Sequence, residues 1–283
     1  MTAAAIRPPP INAGDFIRVI APAGAVDAAA LAKGTALLGS APFGLQVRQD
    51  RDALLAVELY FAGSDDVRAT SLLEAVGELS EIGNGTKAVW AARGGYGTAR
   101  LIARVQDTVI PALKANPGWL VGYSDLTALI ALWNRANVLA LHGPMASNIQ
   151  SFSQAARDAT LSILRGTEAF KQTFNGSIRF RGSSSGQSVK GRLLGGNLSV
   201  LASLDFAGIV GIAVGQFVDG DTSNYTALQL LDLTFTSLDL PVITGLPIGH
   251  DTSTAMPLVL GAQAEIDLEA GQLIVDVPAS SAA

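Results

Sequence analysis

Short apolar runs of strand length alternate with longer helix-like stretches through the first half of this chain, and no other feature restricts its fold so tightly. Phe16-Ile17-Arg18-Val19-Ile20-Ala21 ends in Pro22-Ala23-Gly24, after which Asp27 can cap an alanine-rich helix. A second strand is expected around Leu45 to Val47, and Ser64-Asp65-Asp66 then caps a helix with apolar positions Val67, Leu72, Leu73 and Val76. Lys87 to Ala92 reads as the next strand, followed by Arg93-Gly94-Gly95-Tyr96-Gly97 and a helix from near Thr98. Trp119-Leu120-Val121 leads through Gly122-Tyr123-Ser124-Asp125 into the apolar run Leu126 to Trp133. This alternation implies an α/β fold: a mostly parallel sheet with helices on both faces.

The texture changes near Ser151. A helical stretch, Gln154 to Leu164, runs toward the Ser/Gly-rich segment Gly182 to Gln187, and shorter strands follow at Val189 to Leu194, Ile209 to Val214, Pro241 to Thr244, Ala264 to Leu268 and Leu273 to Val277. The expected organisation is an N-terminal α/β domain over 1–150, a connecting helix and linker over 151–187, and a smaller α/β or mainly β domain over 188–283. Hydrophobic residues make up 49% of the 283 and charged residues only 15%, enough apolar matter to drive folding over most of the length. A net charge of -5, with no Lys/Arg cluster, argues against a generic nucleic-acid binder.

Cysteine is absent, which removes disulfides and thiol nucleophiles, and two histidines supply too few ligands for a histidine-rich metal site. The first ten residues carry no apolar core of a secretory signal, so the cytoplasm is the default expectation. The most apolar stretch, Ile209 to Val218, is too short to span a membrane and reads as a buried strand with a turn.

Ligands of open parallel sheets bind at the carboxyl ends of the strands, which leaves three loops competing for the site: Pro22-Ala23-Gly24, Arg93 to Gly97, and Gly122 to Asp125. Ser124, between strand and helix, suits a nucleophile facing unpaired helix N-terminal N–H groups; a helix cap is the plainer role for Ser124 or Asp125. The Arg93 loop lets backbone N–H groups approach an oxyanion, a carboxylate or a phosphate, but it lacks the spacing of either common phosphate-binding fingerprint. Arg93 itself fits a substrate carboxylate or a surface ion pair. His142 and His250 are the two possible imidazole bases, and Gly249 with Pro247 suggests that His250 is presented on a turn.

Five motifs in order, Arg93-Gly94-Gly95-Tyr96-Gly97, Gly122-Tyr123-Ser124-Asp125, His142-Gly143-Pro144-Met145, Gly191 to Leu198, and Gly245 to His250, give the chain a resemblance to the LD-carboxypeptidase family of serine peptidases. That family includes muramoyl-tetrapeptide carboxypeptidases and microcin C self-immunity proteins. The resemblance implies a Ser-His-Glu hydrolase with its site between two domains. Ser124 matches the nucleophile and His250 the base, while the N–H groups of Asp125 and the Gly94-Gly95 turn match the oxyanion hole. Arg93 and Tyr96 are then the substrate-binding residues. It further implies a cytoplasmic homodimer that needs no metal or cofactor and removes the terminal D-alanine of L,D-linked murein tetrapeptides.

One departure stands out. The family pattern continues after Gly-Gly-Asn-Leu through a strand bearing the catalytic glutamate and then a helix, whereas here Ser203-Leu204-Asp205-Phe206 runs almost directly into Ala207 to Phe217, which resembles a later strand. No residue matches the third triad member. Asp205, Asp219 and Asp221 are the possible substitutes, with Asp219 and Asp221 better placed in the turn after Val218. Two further readings therefore accompany the carboxypeptidase: a microcin-immunity-like hydrolase of peptidyl or aminoacyl nucleotides, and a non-catalytic muropeptide-binding protein.

Overall fold

The computed structural model describes residues 4–50, 54–80, 85–183, 186–202 and 208–280. Strands β1 (Phe16–Ile20), β2 (Gln46–Gln49), β3 (Thr86–Ala91), β4 (Trp119–Gly122) and β5 (Ala140–His142) pair in parallel. Helices α1 (Ala28–Gly39), α2 (Asp65–Gly77), α3 (Ile102–Ala115) and α4 (Thr127–Arg135) form the crossovers between them. Asp27 caps α1 by accepting from the Ala30 N–H, and Ser64 caps α2 by accepting from Val67. Every residue of β4 is buried, as expected for a strand covered on both faces. Trp90, Trp119 and Trp133 are fully buried, and each indole N–H donates to a backbone carbonyl, of Pro144, Pro9 and Gly118 respectively.

The order across this sheet places β1 between β2 and β3, so the chain reverses its direction of travel between β1 and β3. The loops leaving those two strands flank the crevice where open α/β sheets bind ligands.

Beyond α5 (Gln154–Arg165), β6 (Phe170–Asn175), β8 (Ser188–Arg192), β12 (Gln263–Asp267) and β13 (Gln272–Val277) form an antiparallel sheet in the order β6-β13-β12-β8. A three-stranded sheet holds β7 (Ser177–Phe180), β10 (Val242–Thr244) and the two-residue β9 (Ile212–Ala213). Short helices α6 (Leu198–Leu201) and α7 (Ala227–Phe235) complete this smaller part. Strand β11 (Leu258–Leu260) then returns to the first sheet, antiparallel to β5, with Leu258 opposite His142. That return carries the preceding loop, with His250, to the carboxyl end of β5.

The structure corrects one expectation. The segment from Ile209 to Val218 is not a buried strand: only Ile212–Ala213 is extended in a ladder, Ile209, Val210, Phe217 and Val218 are exposed, and Val214 alone is buried. The reason is local, because among the described residues β9 pairs with β10 and has no neighbour on its other edge. No helix among the described residues is long and apolar enough to cross a membrane.

Candidate active site

Tyr123 leaves β4 in an extended conformation, and Ser124 then turns to φ +61°, the left-handed region that side-chain-bearing residues rarely occupy. The turn is held from several sides. Thr127 donates its hydroxyl to the Ser124 carbonyl at 2.7 Å and accepts the Asn197 N–H at 2.8 Å, which ties the Gly-Gly-Asn segment to the serine turn. The buried Asp125 carboxylate accepts the Thr98 N–H at 2.9 Å, while the Asp125 carbonyl accepts the Thr98 hydroxyl. Asp125 thus spends its side chain on the chain leaving the glycine loop.

Gly94 packs directly on this turn. A Cβ built there lies 3.2 Å from Ser124 Cβ and 3.5 Å from the Asp125 nitrogen. The Gly94 carbonyl accepts the Gly24 N–H at 3.1 Å. In a trans peptide the next N–H points the opposite way, so the Gly95 N–H is directed away from Gly24. Gly95 sits at φ +115°, and a Cβ there would fall 2.2 Å from the Tyr60 hydroxyl oxygen, so glycine is required on both counts. Among the described residues the N–H groups of Gly94, Gly95 and Asp125 have no hydrogen-bond partner.

Ser124, Arg93, Gly94, Gly95 and His250 line one cleft of about 340 Å³, together with Asp27, Tyr123, Met145, Ser147 and Asn148. Arg93 is exposed, donates to the Ala25 carbonyl, and lies 5.8 Å from the centre of the Tyr60 ring. Tyr96 stands apart: it is 63% exposed, packs against Phe61 at 6.2 Å and does not line the cleft. The Asp125 side chain likewise faces away from the cleft, toward Thr98.

His250 is presented by the loop after β10. Gly249 precedes it at φ +156°, where a Cβ would sit 2.7 Å from the Gln216 carbonyl oxygen. The imidazole packs on the Tyr123 ring at 5.2 Å, and partial burial pushes its pKa below the ordinary 6.5. His142 is the buried histidine, 5.7 Å from the same ring, and burial with the nearby His250 charge lowers its pKa to about 4. Neutral at ordinary pH and behind Tyr123, it is a packing residue. Burial raises the Tyr123 pKa and keeps the phenol neutral.

No carboxylate hydrogen-bonds to His250 among the described residues. Asp221 caps the entry to α7 through the Ala227 N–H, and Asp251 accepts from Ser253 and Thr254. Asp219 is exposed at φ +56°, and Asp205 lies outside the described residues.

Sequence reasoning missed Asn148 and Ser147. The Asn148 carboxamide accepts the Met145 N–H and donates to the Tyr123 hydroxyl at 2.7 Å, fixing the ring between the two histidines. The signal was an asparagine three residues beyond Met145, the spacing of a local side-chain turn.

The family model of the LD-carboxypeptidase N-terminal domain matches residues 17–143, and that of the C-terminal domain matches 203–266. The chain belongs to the LD-carboxypeptidase family, a family of hydrolases. A Synechocystis protein named as a carboxypeptidase is 26% identical over 310 residues, spanning 95% of this chain and 96% of its own. The murein tetrapeptide carboxypeptidase of Pseudomonas aeruginosa is 30% identical over 157 residues, 54% of this chain and 48% of that one. The crystal structure of muramoyltetrapeptide carboxypeptidase from Oxalobacter formigenes shares the fold with TM-score 0.73 at 24% identity, covering 94% of this chain and 100% of the other. The microcin C7 self immunity protein in complex with aspartyl sulfamoyl adenosine does so with TM-score 0.72 at 16% identity, covering 97% and 99%. The Synechocystis alignment runs over 310 positions, more than the 283 residues of this chain, so that relative has stretches with no counterpart here.

Proposed function

We propose that this chain is a serine carboxypeptidase that removes the terminal D-alanine from L,D-linked murein tetrapeptides through an acyl-enzyme on Ser124. The observation that carries the reading is the junction of a left-handed Ser124 with unspent N–H groups of Gly94, Gly95 and Asp125, in a cleft that His250 also lines. The relatives named for murein peptides supply the substrate class. His250, neutral because its pKa lies below 6.5, takes the Ser124 proton as Oγ attacks the scissile carbonyl. Charge developing on the carbonyl oxygen is held by the three N–H groups. The protonated imidazole passes its proton to the departing D-alanine nitrogen, and water then releases the shortened peptide by the reverse sequence. Arg93, exposed at the cleft wall, is placed to pair with the terminal carboxylate of the substrate.

The triad acid is the missing part. We place the stretch that relatives carry, and with it the glutamate, at the junction over residues 203–207, where the family pattern breaks. Losing the acid in the serine-protease template costs on the order of 10^4 in kcat, so turnover by these 283 residues is slow but dependent on Ser124 and His250. The reading extends to a cytoplasmic homodimer without metal or cofactor, as the family resemblance implies. The test is D-alanine release from a murein tetrapeptide by the wild type, Ser124→Ala and His250→Ala. Release by the wild type alone supports the reading, and binding without acylation makes the chain a muropeptide-binding protein.

The fold shared with the microcin immunity protein supports one second reading, hydrolysis of an aminoacyl or peptidyl nucleotide. Offering both substrates to one preparation separates the two.

A further inference from the structure

Arg68 is one of the largest fully buried side chains of the protein, with none of its side chain exposed, and the mechanism above does not use it. A guanidinium is expensive to strip of water, and burial duly lowers its pKa. Its partners show what it holds. Nη1 donates to the Pro22 carbonyl at 2.9 Å and to the Gly97 carbonyl at 3.2 Å, and Nε donates to the Gly63 carbonyl at 3.3 Å. Nη2 pairs with Asp65, whose carboxylate Arg100 braces from outside at 2.8 to 3.0 Å. The Phe61 ring packs against both cations, 4.7 Å from the Arg68 guanidinium carbon and 5.3 Å from that of Arg100.

Pro22 and Gly97 belong to the two loops that flank the sheet's reversal point, and both lead to the oxyanion donors. From Pro22 the chain reaches Gly24, whose N–H holds the Gly94 carbonyl and so sets the Gly94-Gly95 peptide plane. From Gly97 it reaches Thr98, which is bonded twice to Asp125 beside the nucleophile. The Gly97 carbonyl also accepts the Arg100 N–H at 3.2 Å, and Ala23 and Ala25 are bonded to Ala62 and Tyr60, but among the described residues only Arg68 joins the Pro22 carbonyl to the Gly97 carbonyl. A planar, many-donor cation suits two carbonyls from different loops in a way an ammonium does not.

We infer that Arg68 is a positioning residue for the oxyanion site, clamping the Pro22 and Gly97 loops so that the Gly95 and Asp125 N–H groups face the same point beside Ser124. This rests on the acyl-transfer reading for its kinetic consequence, but not for its structural one. Arg7 supplies the control: it is equally buried and bonded to the carbonyls of Glu168, Pro278 and Ile163, none of which belongs to the cleft.

The experiment compares wild type, Arg68→Met, Arg68→Lys and Arg7→Met in the full chain by backbone amide exchange and by kcat and KM for D-alanine release. Arg68→Met is expected to speed exchange of the bonded Gly24 and Thr98 amides and to lower kcat about 10^2-fold with KM little changed, the cost of ångström-scale misplacement. Arg68→Lys should recover part of both. Arg7→Met should lower stability while leaving exchange of the Gly24 and Thr98 amides and kcat at wild-type values. Wild-type exchange at Gly24 and Thr98 in Arg68→Met overturns the inference, as does an equal kcat loss in Arg7→Met. If Arg68→Met does not fold, Arg68→Lys carries the same comparison. A wild type that releases no D-alanine refutes the hydrolase reading instead, and the exchange data still decide the role of Arg68.

Discussion

Ser124 occupies a backbone conformation that costs on the order of 1 kcal/mol or more for a residue with a side chain, and the surrounding contacts from Thr127, Asn197 and Thr98 hold it there. Strain kept at a cleft-lining hydroxyl suits a nucleophile better than a simple helix cap, and the cap residue of this turn is Tyr123, with no side-chain capping bond. Gly95→Ala tests the oxyanion side of that arrangement. The added methyl meets the Tyr60 hydroxyl and an unfavourable φ, so kcat is expected to fall about 10^2- to 10^3-fold, the usual loss for one oxyanion donor. The base has its own signature. His250 works when neutral, and its lowered pKa puts the acid limb of kcat/KM below the ordinary 6.5 of histidine, with activity lost as pH falls through it. A limb at or above 6.5 contradicts that environment. The turns that bring Ser124, Arg93 and His250 to one cleft were legible because glycine-flanked turns after apolar runs announce themselves in sequence. Arg68 was not legible, since an arginine inside an amphipathic helix reads as a solvated position until its carbonyl partners are seen.

Among the elements, the βα units of the first sheet were readable where an apolar run marked the strand, as in β1, β3 and β4, or a side chain capped the helix, as Asp27 and Ser64 do; β2 is polar, and α3 and α4 start without a side-chain cap. The smaller part was harder to read. Strands β6 and β7 carry alternating exposed polar positions, as in Phe170–Asn175, and the pairing that stabilises them comes from distant β13 and β10. Helix α7 was missed, and it has no buried residue although Leu228, Leu230 and Leu233 lie along it, Leu233 being 78% exposed. With Ile209, Val210, Phe217 and Val218 also exposed, the described residues leave uncovered apolar surface in the segments around the short edge strand β9. An apolar fluorescent dye should therefore bind this chain strongly. The Leu230→Lys/Leu233→Lys variant should lower that signal while shifting stability by no more than about 1 kcal/mol, since both side chains are already exposed. An unchanged dye signal contradicts the assignment of the surface.

Across the whole molecule, the two histidines tie stability and activity to the same pH range. The buried His142 has a folded-state pKa of about 4 against an ordinary 6.5, so as pH falls below 6.5 the unfolded chain takes up a proton first and gains relative to the folded one. The stability present above pH 6.5 is lost progressively toward pH 4, by on the order of 3 kcal/mol. His142→Gln should flatten that part of the stability curve, measured by urea unfolding at several pH values; an unchanged slope contradicts a neutral buried imidazole. The fold class was legible from the alternation of strands and helices, but the return of β11 to the first sheet was not, because Leu258–Leu260 is too short to reveal its partner. That return brings His250 to the cleft that Ser124 lines. The most direct test of the central claim is a single-turnover assay of D-alanine release from a murein tetrapeptide with wild type and Ser124→Ala. Slow release with an acyl adduct on Ser124, abolished in the variant, is the predicted result; equal release by both proteins, or tight binding with no adduct, would contradict it.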